Sequence, residues 1–156
     1  MDKHDKLDEI DLRILRALQE NSRLTVKELA EVAHLTPSPT HDRVKRLERE
    51  GYIDRYVAVL SRRKLGSGLT VLCNIRLKQH NLDIIQEFMQ SVQGLEEIRE
   101  CYNTSGEYDF MIKLQVDDMA HYQEFVLKKL GALGCIGSLH SIFVIGEVKR
   151  ELGIKL

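Results

Sequence analysis

The chain has 156 residues, with 23 Lys and Arg set against 24 Asp and Glu for a formal net charge of −1; this is room for one ordinary domain or two small ones. Near-neutrality excludes a uniformly basic surface, so any contact with a polyanion must come from local charge. No stretch approaches the roughly 20 apolar residues of a membrane span, and the N-terminal Met-Asp-Lys-His-Asp-Lys has no apolar signal core, so a cytoplasmic protein with no membrane partner is expected.

Asp8 is a suitable cap for a first helix over Glu9–Glu20, whose Ile10, Ile14, Leu15 and Leu18 recur at helical spacing before the Asn21-Ser22 turn. Thr25 and Glu28 form a capping box for a second helix with Leu29, Val32 and Ala33 turned inward. Only His34 and Leu35 then precede Thr36. The spacing therefore predicts a sharp turn into a third helix, as in a helix-turn-helix. Thr36 reads as its N-cap, Pro37 fits the first turn, and Gly51 suits a left-handed residue at the end.

The third helix carries the charge. Four of the seven residues from Arg43 to Arg49 are cationic, and Thr36–Lys64 holds eight Lys and Arg against four Asp and Glu. With Val44 and Leu47 inward, Ser38, His41, Lys45, Arg46 and Arg49 turn outward or to the flanks. This is how a helix is presented to double-stranded DNA. Ser38, His41 and Lys45 are candidates for base contact, Arg43, Arg46 and Arg49 for phosphate contact, and Thr40 joins them as a DNA-binding candidate. The plainer reading is a solvated face, with Asp42 and Arg46 as an ordinary i,i+4 ion pair. Past Gly51, Tyr52–Leu60 alternates in places and suggests a short strand or wing, with Ile53 packing back on the helices and Arg55 beside a phosphate.

Arg62, Arg63 and Lys64 with Gly66-Ser67-Gly68 mark a junction, giving domains over 1–62 and 63–156. Beyond it the period becomes twofold: Val71, Cys73, Ile75 and Leu77 in a strand, then a helix with Ile85, Phe88, Met89 and Val92 closed by Gly94. A strand over Ile98–Asn103 and another carrying Phe110, Ile112, Leu114 and Val116 form a hairpin around Gly106. Asp117-Asp118 caps a helix with Met119, Tyr122, Val126 and Leu130, and Leu139–Val148 is the last strand. The expected fold class is α+β: a winged helix-turn-helix followed by a ferredoxin-like βαββαβ domain, both of whose helices cover one sheet face. Ile142 and Val144 against Phe143 and Ile145 make the other face apolar as well, so a homodimer is expected, suited to a twofold operator.

Cys73, Cys101 and Cys135 are odd in number and widely spaced, so they read as packing residues rather than a disulfide framework or zinc site. The six His also lack metal-ligand spacing. With no nucleophile beside a base, no Gly-rich phosphate loop and no metal cluster, neither an enzyme nor a resident cofactor is expected.

These residues resemble the Lrp/AsnC (leucine-responsive and asparagine-responsive, feast/famine) transcription regulators from end to end. The segments that carry the resemblance are Leu7-Asp8-Glu9-Ile10-Asp11 with Ile14-Leu15, Leu35-Thr36-Pro37-Ser38-Pro39, Arg43 to Glu48, Gly51-Tyr52-Ile53, and Ser105-Gly106-Glu107-Tyr108-Asp109. The resemblance implies dimers that assemble into tetramers or octamers and a small effector, commonly an amino acid, held between dimers. By position the effector residues would be Tyr102, Asn103, Gly106 and Asp109 on one side and Leu139 and Ser141 on the other. Leu139 departs from the hydroxyl residue often found there. From the residues themselves, Gly106 can expose backbone N–H groups to a carboxylate while Asp109 accepts from an ammonium, or the segment can be a plain hairpin turn. The rival functions are a sirohaem-decarboxylase-like enzyme on the same plan, and an amino-acid-binding regulatory module that does not touch DNA.

Overall fold

In a computed structural model, residues 7–66 and 68–156 are described. The N-terminal hexapeptide, Ser67 of the junction and the side chains of Arg62 and Arg63 lie outside the described residues. The chain divides into two compact units, one running to Val59 and including Lys149–Leu156, the other spanning Leu60–Val148. The last eight residues thus group with the first unit, where the sequence reading put them in the second.

Three helices build the first unit: α1 (Glu9–Glu20), α2 (Val26–Ala33) and α3 (Pro37–Arg49). The two expected capping boxes are formed, Asp8 with Asp11 on α1 and Thr25 with Glu28 on α2, each satisfying two of the otherwise unpaired first-turn N–H groups. Ile14, Leu15, Leu18, Leu29, Ala33 and Leu47 make the core, with Val44, Tyr52 and Ile53 packed against it. On α2 the inward residue is Ala30; Val32 is 40 % exposed, contrary to the expected stripe. The α2–α3 turn is made by His34 in the left-handed conformation (φ 55°), unusual for a non-glycine residue. Thr36 precedes α3 but its side chain makes no capping bond. A capping hydroxyl seeks the N–H of the second or third helical residue, and the third is Pro39, which has none.

Residues 52–60 form no strand. Tyr52 and Ile53 pack back, but Tyr56, Val57, Val59 and Leu60 are exposed in a segment without regular structure, since the first unit offers no neighbouring strand among its described residues. The segment Lys149–Leu156 closes on α1: the Gln19 side-chain amide donates to Ile154 O (2.8 Å) and accepts from Ile154 N (3.0 Å), and Leu156 packs on the core.

In the second unit a short turn, α4 (Arg62–Leu65), leads to β1 (Leu69–Leu77), α5 (Leu82–Gln93), β2 (Ile98–Asn103), β3 (Phe110–Val116), α6 (Met119–Glu124) and β4 (Ile136–Phe143). The sheet is antiparallel in the order β2-β3-β1-β4. Val71, Cys73, Ile75 and Leu77 alternate with Leu72, Asn74 and Arg76, and Phe110, Ile112, Leu114 and Val116 with Met111, Lys113 and Gln115, so one face is buried under Phe88, Val92, Phe125 and Leu130. The expected fold is therefore present, with local corrections. Met89 on α5 and Met119 on α6 are exposed (47 % and 46 %); after α6, Phe125 takes the core position, because the helix continues as a π-helical turn over Phe125–Leu130 that shifts its stripe. β4 begins at Ile136 and ends at Phe143; Gly137 sits in a register irregularity against Leu77, Val144 N makes one more bond to Thr70 O of β1 (3.0 Å), and residues 144–148 take no regular structure. A second irregularity between Ile98 and Glu100 turns Glu100 and Tyr102 onto the open face. That face is mixed, not apolar: Leu72, Met111, Tyr102 and Ile142 stand among Asn74, Arg76, Glu100, Lys113 and His140. Cys73 and Cys135 are buried as expected; Cys101 is exposed on an edge strand.

Glu97, just before β2, is buried and receives Lys129 Nζ (2.5 Å), with His121 Nε2 at 3.4 Å. Burial pushes its carboxyl up, but hydrogen bonds from Lys129, its own backbone N–H and His121 outweigh this and hold it below the ordinary 4.5. A depressed carboxylate contributes stability that is present above its unfolded value and is lost as pH falls through the folded one. Urea midpoints of the full chain should therefore fall more steeply below pH 4.5 in the native protein than in Glu97→Gln; equal slopes would remove Glu97 from the acid transition.

Candidate nucleic-acid interface

One side of α3 is free of protein. Ser38, His41, Asp42, Lys45 and Arg49 are exposed and fall on a single face by the 100° step per residue. Lys45 Nζ lies 2.8 Å from Glu48 Oε2, and the other oxygen of Glu48 accepts from Tyr56 OH at 3.1 Å. Burial, then the hydrogen bond to Glu48 and its charge, push Tyr56 up to about 12, so the phenol stays a donor. Arg49 has no partner among the described residues and stands in the last turn, where the helix dipole favours a cation. Arg55, beyond α3, is 78 % exposed at its side chain and lies 3.3 Å from Asp54.

Three of the expected contact residues are engaged elsewhere. Thr40 is fully buried, its hydroxyl donating to Thr36 O at 3.0 Å, because it lies across the helix from Ser38. Arg43 donates to Asp8 (2.7 Å) and Asp11 (2.8 Å), and Arg46 pairs with the second oxygen of Asp11 rather than with Asp42. Asp11 is 1 % exposed. Both arginines thus point at α1, and their charge is matched inside the unit. The sequence carried the signal that was missed: Asp11, Ile14, Leu15 and Leu18 form one inward stripe, and a carboxylate on that stripe demands an opposite charge from the facing helix. Glu48 and Tyr56 also lacked a local signal, since their contact joins α3 to a segment without regular structure.

The second set of expected residues does not converge within one chain. Asn103 pairs with Phe110, Phe110 with Ile75, and Ile75 with Leu139, so Asn103 and Leu139 mark opposite edges of one row about 14 Å apart at the usual strand spacing. Tyr102 faces the open side and donates to Glu100 (2.7 Å), whereas Leu139 and Ser141 are on the helix-covered side, Ser141 beneath Tyr122. Gly106 has φ 105° with open space around it. The Asp109 carboxylate accepts from Leu77 N (2.7 Å) and lies 2.9 Å from His80 Nδ1, so much of its capacity goes to the end of β1 and the loop after it, while Asn103 Nδ2 donates to the Asp109 backbone carbonyl within the hairpin. Of these residues only Leu139 lines a small apolar cavity of about 140 Å³, with Val126, Leu130, Leu133 and Ile136.

A profile described as a winged helix-turn-helix DNA-binding domain matches residues 7–54, and one described as the Lrp/AsnC ligand binding domain matches residues 70–154. The chain belongs to the Lrp/AsnC family. The leucine-responsive regulatory proteins of Klebsiella pneumoniae and Escherichia coli K12 are each 38 % identical to it over 145 residues, covering 93 % of this chain and 88 % of theirs. Among solved structures, a transcriptional regulator from Neisseria meningitidis in complex with L-Met superposes with a TM-score of 0.90 at 33 % identity, covering 96 % of this chain and 97 % of that one. An AsnC family regulator from Agrobacterium tumefaciens gives 0.89 at 31 %, with the same coverage. The protein is a DNA-binding transcription regulator of the Lrp/AsnC type, as its relatives named above are regulators. No helix among the described residues is long and apolar enough to cross a membrane.

Proposed function

We propose that this Lrp/AsnC regulator reads double-stranded DNA with Ser38, His41, Lys45 and Arg49, as a homodimer or higher assembly modulated by an amino-acid-like metabolite. The observation that carries the reading is the division of labour on α3: Arg43 and Arg46 are spent on Asp11, and the remaining cations face outward. Arg49 is assigned to a phosphate and Lys45 to a base edge. Arg49→Ala is expected to weaken binding to all duplexes and to flatten the slope of log affinity against log salt by about 1. Lys45→Ala is expected to change sequence preference as well. Unchanged salt slopes in both variants would remove these roles.

Assembly is supported by exposed apolar side chains at Tyr56–Leu60 and Ile142–Ile145. It is supported too by the two effector half-sets lying on opposite edges of the sheet, since a small metabolite touching both would need two copies of the chain. Tetramers or octamers assembled from dimers would provide such junctions. The Neisseria meningitidis regulator forms a complex with L-Met, which favours an amino acid here. Calorimetry of the full chain against the twenty amino acids is expected to give heat with at least one; heat with none would leave Ser105–Asp109 as a hairpin turn.

A further inference from the structure

The capping box of α1 is also the socket of α3. Asp8 Oδ1 accepts from Asp11 N (2.8 Å) and Asp11 Oδ2 from Asp8 N (3.2 Å), which starts α1. The same two carboxylates take the guanidinium groups of Arg43 and Arg46, residues spaced i,i+3 on α3, with Asp11 occupied at both oxygens. Arg46 Nε is buried without a hydrogen-bond partner, so this geometry is held at an unreturned cost. A buried ionic cluster is weak as a source of stability: apolar residues of similar volume commonly do as well or better. It differs from the surrounding core in being directional. Ile14, Leu18, Leu29 and Leu47 attract α3 by area removed from water, which tolerates rotation of the helix about its axis, whereas two guanidinium groups on one carboxylate do not. Lys45 lies between the two clamped arginines in sequence, and Arg49 lies one turn beyond Arg46 and Lys45.

We propose that Asp11, supported by Asp8, is a positioning residue for DNA recognition: it sets the rotation at which α3 presents Ser38, His41, Lys45 and Arg49, and it withholds Arg43 and Arg46 from the phosphate backbone. This rests on the reading of α3 as the DNA-contacting helix. The clamp makes two charges unavailable to any duplex, so discrimination between sequences is left to the exposed face. Sequence-independent affinity is kept low. Opening the clamp has opposite effects on the two kinds of binding.

The experiment uses the full-length protein, a duplex selected by it from a random-sequence pool, and a shuffled duplex of the same composition. In Asp11→Asn, with one acceptor oxygen and the charge removed, binding to the shuffled duplex at low salt is expected to strengthen about tenfold. Its slope of log affinity against log salt should steepen by about 1 to 2 as Arg43 and Arg46 reach phosphates. The preference for the selected duplex should fall about tenfold or more. A purely structural role would instead weaken binding to both duplexes together. If Asp11→Asn does not fold, Asp8→Asn, which loses a single bond to Arg43, is expected to show the same pattern at reduced size, and Asp11→Glu to restore part of the preference. Folded variants with the native preference and slope would overturn the positioning role while leaving DNA binding intact. A native protein that selects no duplex would overturn both.

Discussion

Phe110→Ala is expected to destabilise the protein by about 3 to 5 kcal/mol, the range for removing a large aromatic side chain from a closed core. Phe110 is 1 % exposed and sits in the row that joins Asn103, Ile75 and Leu139 across all four strands. Its ring meets Phe88 of α5 at 4.6 Å between centroids with a 40° tilt, so truncation removes an aromatic pair as well as buried area. Phe88 is fully buried, and a double-mutant cycle between the two rings should return a coupling of about 0.5 to 1.5 kcal/mol. Urea unfolding of the full chain at one fixed protein concentration reads both quantities, the concentration being held because association shifts apparent stability. A loss under about 1 kcal/mol in Phe110→Ala would mean that the sheet and α5 close over the gap, contrary to the packing described.

Gly68→Ala should cost about 2 to 5 kcal/mol, for two separable reasons. Gly68 has φ +57°, a left-handed conformation worth about 1 to 2 kcal/mol against a residue with a Cβ. A methyl placed there would also be driven into the carbonyl oxygen of Val116, backbone that cannot step aside without opening the first pair of the ladder, Leu69 with Val116. Gly66 is the internal control. Its φ is +73°, but a methyl there meets nothing within 4 Å, so Gly66→Ala should show the conformational part alone. Equal denaturation midpoints for the two variants would assign the whole effect to backbone conformation and none to the approach of β3.

The fold was legible in the sequence because its signals are local and repeated. Capping boxes at Asp8 and Thr25, twofold alternation along Val71–Leu77 and Phe110–Val116, and the Asp118 cap each act within a few residues. Where a single residue breaks the period, the reading slips: the bulge after Ile98, the π-helical turn at Phe125 and Gly137 inside β4 each shift side chains to another face without any compositional mark. The basic helix was legible too, but its contact list was not. Helical spacing alone ranks Arg43 and Arg46 with Arg49. Only the tertiary partner, a carboxylate on the inward stripe of α1, separates charges that serve the interior from those left for a ligand. The candidate effector residues come from the resemblance alone, and the sheet order sets their two halves on opposite edges, a consequence of pairing that no stretch of sequence displays.

The docking of Ile154 and Leu156 on α1 has an implication for biosynthesis. The three helices are translated ahead of residues 60–148, and the surface of α1 that Ile154 and Leu156 cover stays bare until those intervening residues have been made. The helical unit therefore waits, uncovered on that side, while residues 60–148 are translated, and a stalled or clipped product lacking the segment 149–156 would keep the reader helix's sequence while losing its clasp.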